Sequence, residues 1–329
     1  MAAVKVLLSV DIGGTAIKAG IVDAEGKVLY KHVAPSNING YETPLIEVAK
    51  DAASVAYEYA RDRGWDIKGI GVSAAGQINS KTGQVIGACG NIPNWIGVNI
   101  KREFKDKFKL KTHVENDANC AALAEKWIGA GRKFNDFIAY TIGTGIGGGI
   151  IKDGRLMTGS QGIGGEIGHM IIEANGKECT CGNKGCWEQY ASMTALVRSV
   201  KMKLQESEIT SPIHNIIDGD LNKLNGKVIF EAAEMGDQLS LECIKEFVKY
   251  NAIGIVSLLH ILNPEAVIIG GGVSMQKDSL VEPIKKEVFK RTMPAFVSEV
   301  EIMAAQLGND AGMVGAVKAF MDKYGMDMK

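Results

Sequence analysis

"VDIGGTAIKAGIVDAEGKVL" occupies residues 10–29, and "YTIGTGIGGGIIKDGRLM" occupies residues 140–157. Aligned without gaps at an offset of 130, they match at Ile12/Ile142, Gly13/Gly143, Ile21/Ile151 and Asp23/Asp153. Gly26-Lys27 and Gly154-Arg155 then follow, the second turn being slightly shorter. Each segment reads as strand, glycine turn, strand, Asp-Gly-type turn, strand. An approximate repeat at this spacing suggests duplicated domains. A tight glycine turn exposes backbone N–H groups and lets an anion approach without Cβ interference. Two such turns, one per domain, could grip a polyphosphate from both sides; the plainer reading is two ordinary hairpins. "DIGGT" (11–15) adds a carboxylate, Asp11, suited to a hydrated Mg²⁺, and a hydroxyl, Thr15.

Two other phosphate motifs drop out. "GTGIGG" (143–148) satisfies G-x-G-x-x-G, but that fingerprint must open a helix. Here strand and turn residues follow, "GIIKDGRLM". Gly26-Lys27, Gly176-Lys177 and Gly226-Lys227 lack the following Ser or Thr of a P-loop.

Outside the hairpins, strand and helix signals alternate. "PLIEVAKDAASVAYEYARDRG" (44–64) is an amphipathic helix, "IKGIGVS" (67–73) a buried strand, and "THVEN" (112–116) a short strand leading into "ANCAALAEKWIGAG" (118–131). A long helix ends at Asn263-Pro264, "AVIIGGGV" (266–273) is a buried strand, and "AGMVGAVKAFMDKYG" (311–325) closes the series. This alternation argues for an α/β fold with largely buried strands. The 329 residues correspond to about two domains of ~150 residues. Net charge is -1, which gives no sign of a nucleic-acid partner. No apolar run approaches the ~18 residues of a membrane span. "MAAVKVLLSVDIGG" runs straight into the first motif, so it reads as a first strand and not a signal peptide. Cys89, Cys120 and Cys243 are scattered in apolar or helical contexts and read as buried small hydrophobes. Together these features point to a reducing, cytoplasmic compartment.

Three places could carry chemistry. "VENDANCAALAE" sets Glu115, Asn116 and Asp117 at a strand-to-helix junction. Asn116 or Asp117 could simply cap the helix; alternatively, Asp117 is a general base that accepts a proton from a sugar hydroxyl. "GSQGIGGEIGHM" brings Glu166 and His169 close together after four glycines. Glu166 could bind substrate hydroxyls, and His169 could serve as a metal ligand or a hydroxyl partner. "CTCGNKGCWE" (179–188) places Cys179, Cys181 and Cys186 in one loop, with Gly182 and Gly185 permitting the bends. There is no redox C-x-x-C, and an odd count of three argues against a disulfide. A structural zinc site needs four N/S ligands, and His169, ten residues upstream, supplies the fourth. Such a clasp would fix Glu166 and Glu188 relative to each other.

"DIGGT", "ENDAN", "GTGIGGGI", "GGEIGH", "CTCGNKGCWE" and "IIGGGV", with "LGNDAGMVGA" (307–316), resemble in order the repressor–open reading frame–kinase (ROK) family of sugar kinases, and most of all its bacterial glucokinases. The resemblance implies an actin-like, two-lobed α/β fold with duplicated β-sheet domains. Residues 1–117 with 312–329 would form the small lobe, and 118–311 the large lobe. It implies phosphorylation of a hexose at its 6-hydroxyl by ATP and Mg²⁺, glucose being the expected sugar, in cytoplasmic carbohydrate metabolism. Asp117 then stands as the catalytic base, with Asn91, Asn116, Glu166, His169 and Glu188 as sugar contacts. Gly13, Gly14, Thr15, Thr144 and Gly145 would meet phosphates, with Asp11 nearby, and Gly271 and Gly272 the adenosine end. His169, Cys179, Cys181 and Cys186 match the family's zinc ligands, and homodimers or homotetramers are expected.

One departure bears on the sugar. Related kinases often read G-x-P-G-P-V/I-D/N before the sugar-binding asparagine; "VSAAGQIN" (72–79) has Ala75 and Gln77 at the usual prolines. Fructose, allose, N-acetylglucosamine and N-acetylmannosamine are the alternative acceptors. The family also holds sugar-sensing repressors with an N-terminal DNA-binding domain. Here Asp11 follows only ten residues, so that domain is not expected, and the presence of Asp117 argues against a non-catalytic sugar sensor.

Overall fold

The computed structural model describes residues 3–37, 39–87, 92–206, 210–272 and 277–326. The first hairpin unit forms strands β1 (Lys5–Ile12), β2 (Ala16–Val22) and β3 (Val28–Pro35), followed by helix α1 (Leu45–Asp62). Strands β4 (Asp66–Ala74), β5 (Gln77–Asn79) and β6 (Gln84–Gly87) come next, then α2 (Ile100–Phe108), β7 (Thr112–Asn116) and α3 (Asp117–Ile128). The second hairpin unit gives β8 (Phe137–Ile142), β9 (Ile146–Lys152) and β10 (Arg155–Leu156). Helices α4 (Glu188–Ala191), α5 (Met193–Glu206), α6 (Ile213–Ile216), α7 (Gly226–Glu234) and α8 (Gln238–Leu262) lead to β11 (Ala266–Gly271). Helices α9 (Glu282–Arg291) and α10 (Pro294–Val297), strand β12 (Glu301–Ala304) and helix α11 (Ala311–Tyr324) complete the chain.

One five-stranded sheet has the order β3-β2-β1-β4-β7, and the other β10-β9-β8-β11-β12. The two orders correspond strand for strand: a three-strand meander, then two added strands. The duplication read from the hairpins is therefore a duplication of whole sheets. In the first sheet β1–β2 and β2–β3 are antiparallel, whereas β1–β4 and β4–β7 are parallel.

Burial explains the order. β1 is buried at every residue from Val6 to Val10, as a central strand requires, and its one polar side chain there, Ser9, donates to Met313 O at 2.7 Å. β3, at the edge, alternates exposed and half-buried residues along its second half. Helix α1 turns its alanines inward and stops before Gly64, whose φ of +66° suits a glycine. Helix α8 ends on Asn263 in the left-handed region, just ahead of Pro264.

By its internal contacts the chain divides into two compact units. One comprises Met1–Tyr140, Gly148–Glu166 and Ala305–Lys329; the other comprises Thr141–Gly147 and Ile167–Ala304. In the first unit α11 lies close on α3 and β4. A Cβ on Gly315 would stand 1.7 Å from the Cys120 carbonyl oxygen, and one on Gly71 would stand 2.2 Å from that of Ala316. Cys120 and Cys243 are buried, as their apolar contexts suggested, while Cys89 lies outside the described residues. Among the described residues, no helix is long and apolar enough to cross a membrane.

Candidate active site

In the first unit, the carboxyl ends of β1, β4 and β7 line up, with Asp11 paired to Ser73 and Ser73 to Glu115. Functional groups gather at such strand ends in α/β sheets. Ser73 Oγ donates to Asp11 Oδ1 at 2.7 Å, and Lys18 Nζ donates to Oδ2 at 3.0 Å. Gly312 backs the same carboxylate, because a Cβ there would lie 2.5 Å from it. Lys18 stands opposite Asp11 in the β1–β2 register. Sequence reasoning missed both Lys18 and Ser73; the signal for Lys18 was a lone cation in the apolar strand "AIKAGIV".

Asn116 and Asp117 divide the two readings of their junction. Asn116 caps α3, its side chain accepting from Ala118 N at 2.9 Å and Asn119 N at 3.1 Å. Asp117 is the first helical residue; its Oδ1 accepts from Ala118 N at 2.8 Å and from Asn116 Nδ2 at 3.0 Å. Solvent reaches the Asp117 side chain, yet protein surrounds it densely. Desolvation, then the negative charge of Asp11 and after it that of Glu166, push its pKa up to about 6, against the Ala118 N–H that lowers it. The accessible side chain tempers the desolvation, but the neighbouring carboxylates act in the same direction. Glu115, 2% exposed, is also raised to about 6 by burial. Its Oε1 accepts from Asn116 N at 2.9 Å and Asn119 Nδ2 at 3.0 Å.

The glycine-rich loop before Glu166 is pinned to the same unit. Ser80 N donates to Gly162 O at 3.2 Å. A Cβ on Gly165 would meet Gly148 O at 2.8 Å and Asn119 Oδ1 at 3.0 Å, so only glycine fits there. Ser80 and Asn119 thus hold the loop that carries Glu166, and neither stood out in the sequence. Trp95, 1% exposed, donates from Nε1 to Ala75 O at 3.0 Å and anchors the loop with the missing prolines. Asn91 lies outside the described residues.

In the second unit, His169, Cys179, Cys181 and Cys186 converge, with one donor atom from each all within 4.8 Å of one another. Cys181 Sγ and Cys186 Sγ are 3.6 Å apart, and Cys179 Sγ lies 3.7 Å from His169 Nδ1. A tetrahedron with Zn–S bonds of about 2.3 Å has edges of roughly 3.7 Å, so these spacings suit a four-coordinate ion. Burial, then the neighbouring thiols, push Cys186 up to about 12. For all three to be thiolates at neutral pH, a cation would have to sit in their midst. The backbone accounts for the loop. Gly182 and Gly185 adopt φ of +92° and +79°, and Cys179 N donates to Asn183 O at 2.8 Å. Trp187, fully buried, donates from Nε1 to Tyr250 O at 2.8 Å, and Gly254 of α8 leaves room for its indole.

Glu188 faces this cluster. Cys179 Sγ donates to its Oε1 at 3.2 Å, and His169 Nδ1 lies 3.8 Å from the same oxygen. A Cβ on Gly145 would lie 2.6 Å from Glu188 Oε2. Thr15 and Thr144 are exposed at their turns. Apart from the chain neighbours, no described atom lies within 4 Å of a Cβ built on Gly14, Gly143 or Gly272, which leaves room for a ligand to come close to these turns. Gly13 N donates to Ala16 O at 3.1 Å, closing the first turn. Gly271, φ +87°, packs beneath the end of β8, where a Cβ would be 2.2 Å from Ile142 O.

A duplicated α/β sheet, an open glycine turn in each meander and a carboxylate at the strand ends define the actin-like sugar-kinase class. Residues 7–323 match the model of the ROK family, to which the chain belongs. The chain is 36% identical over 320 residues to the glucokinase of Thermotoga maritima, covering 97% of this chain and 98% of that one. It is 38% identical over 314 residues to the glucokinase of Streptomyces coelicolor, covering 94% and 95%. Its structure is similar to that of a ROK family glucokinase from Streptomyces griseus in complex with glucose and AMPPNP. There the TM-score is 0.78 at 36% identity, covering 94% of this chain and 97% of that one.

Proposed function

We propose that this chain transfers the γ-phosphate of ATP to the 6-hydroxyl of glucose, giving glucose 6-phosphate and ADP. The observation that carries the reading is Asp117. It is a carboxylate at the carboxyl end of β7, held by backbone and Asn116, open to solvent, and tuned to about 6. A base near the working pH is mostly ionised and still accepts a proton readily. Similarity to a glucokinase that binds glucose and AMPPNP supports the choice of substrates.

In this account Asn91, Asn116, Glu166, His169 and Glu188 bind the sugar hydroxyls. Asp117 takes the proton of the 6-hydroxyl as the sugar oxygen forms its bond to the γ-phosphorus. The bond from that phosphorus to the β–γ bridging oxygen breaks, and ADP leaves. Gly13, Gly14, Thr15, Thr144 and Gly145 meet the phosphates, with the Gly13 N–H already engaged by Ala16 O and so shaping the turn instead of binding, and Gly271 and Gly272 meet the adenosine end. Mg²⁺, arriving with ATP, would neutralise phosphate charge, and Asp11 is the carboxylate that would hold it in hydrated form. His169, Cys179, Cys181 and Cys186 are the residues that would hold a structural zinc ion, which would supply rigidity. With Nδ1 of His169 on the thiol side, Nε2 is the atom for the sugar. The proposed small lobe is 1–117 with 312–329 and the proposed large lobe 118–311, and water must be kept from the phosphate so that it reaches the sugar. The family resemblance also supports a cytoplasmic homodimer or homotetramer without nucleic-acid or membrane partners.

A second acceptor is favoured by one observation: Ala75 and Gln77 stand where the family's prolines usually set the sugar loop. The test is ADP release with ATP·Mg²⁺ and a panel of hexoses and N-acetylhexosamines at sub-saturating concentration. A dominant response to glucose is expected. A dominant response to another sugar replaces glucose and keeps the chemistry; silence across the panel overturns the kinase reading.

A further inference from the structure

In the second unit, three contacts join the 143–146 turn to the segment that bears the metal ligands. Met193 N, at the start of α5, donates to Gly143 O at 2.9 Å. Glu188, which meets Cys179 and His169, lies with Oε2 2.6 Å from where a Gly145 Cβ would be. Gly168, next to His169, lies so close beneath the turn that a Cβ there would stand 2.2 Å from Ile146 O. Residues Thr141–Gly147 accordingly belong to the same compact unit as Ile167–Ala304, and not with the remainder of β8 and β9. Within the turn, Gly143 N donates to Gly145 O at 3.0 Å. A run of glycines carries large conformational entropy, so outside contacts must fix its shape.

We propose that the metal-bearing segment, acting through Glu188 and the Met193 N–H, sets the shape of the 143–146 turn and thereby the affinity for ATP. This rests on the kinase reading given above. Metal binding is thus felt at the nucleotide as well as at the sugar. Met193 is a positioning residue through its backbone N–H alone.

Proline isolates that N–H. Met193 is the first residue of α5, where proline is tolerated, and Ser192 before it is extended (φ −84°, ψ 162°). The side chain packs on Gly226, so Met193→Ala is the matched control that keeps the N–H. AMPPNP and glucose affinities of the zinc-loaded proteins would be measured separately by calorimetry, with zinc content per chain. Met193→Pro is expected to raise the AMPPNP Kd about five- to tenfold over Met193→Ala, at equal glucose Kd and zinc content. Equal AMPPNP affinities of the two variants would overturn the proposal. If Met193→Pro does not fold, metal-stripped wild type that keeps its circular dichroism replaces it. Its AMPPNP Kd should rise severalfold and return on adding Zn²⁺, and an unchanged value would overturn the proposal. Wild type that binds glucose but no AMPPNP at millimolar concentration would overturn the kinase reading itself, a result distinct from either.

Discussion

Asp117 is held between opposing influences. The helix N-terminus favours its charge, whereas desolvation, Asp11 and Glu166 oppose it and leave its pKa near 6. A base must be ionised to act. kcat/KM is therefore expected to be flat above pH 7 and to fall about tenfold per pH unit below about 6; a flat profile down to pH 4.5 would remove Asp117 from the role. His113, two residues before Glu115 on the same strand, bears on stability instead. Burial, then the charges of Lys323 and Lys101, lower its pKa to about 4, and its Nδ1 has no partner among the described residues. The native state binds fewer protons here than the unfolded chain. Its contribution is therefore fully present above the unfolded value of 6.5 and is lost as pH falls toward 4. That loss amounts to about 3 kcal/mol for this group. His113→Leu should flatten the acid limb of urea-unfolding stability measured from pH 7 to 4. An unchanged slope would place the acid sensitivity elsewhere.

At the scale of elements, α3 carries Asp117 and is set by its contact with α11. Gly315 permits that contact, since any Cβ there would overlap the Cys120 carbonyl. Gly315→Ala is expected to destabilise by about 1–3 kcal/mol through overpacking, with a lowered Tm and reduced turnover; a wild-type melting curve would contradict the packing account. The sequence showed the two meanders and the cysteine loop, because a short repeat and tight spacing are local signals. It also showed that Asn116 or Asp117 sits at a helix start, but not which one caps. Asn116 caps because its side chain reaches two N–H groups. Ser73, Ser80 and Asn119 were not legible, and Lys18 showed only as a lone cation in an apolar strand: their roles arise from strand register and from a loop brought in from far along the chain. The placement of β4 and β7 beside β1 was equally out of reach, since an alternating pattern gives the strands without their order.

For the molecule as a whole, stability and substrate affinity meet at the cysteine loop. Cys181→Ser is expected to lower zinc content below one per chain and to raise the glucose KM by about tenfold or more. The cause would be displacement of Glu188 and His169, which lie among the ligands. A variant that has lost zinc but keeps a normal KM would reduce the clasp to fold support. The account's central claim is base catalysis of phosphoryl transfer to glucose by Asp117. Its most direct test is glucose 6-phosphate formation from ATP·Mg²⁺ and glucose, followed by ³¹P NMR in wild type and Asp117→Asn, with glucose binding measured in both. The prediction is product from the wild type and a rate lower by about 10²–10⁴ in the variant, at similar glucose affinity. A variant that binds glucose and makes product at the wild-type rate would contradict the claim.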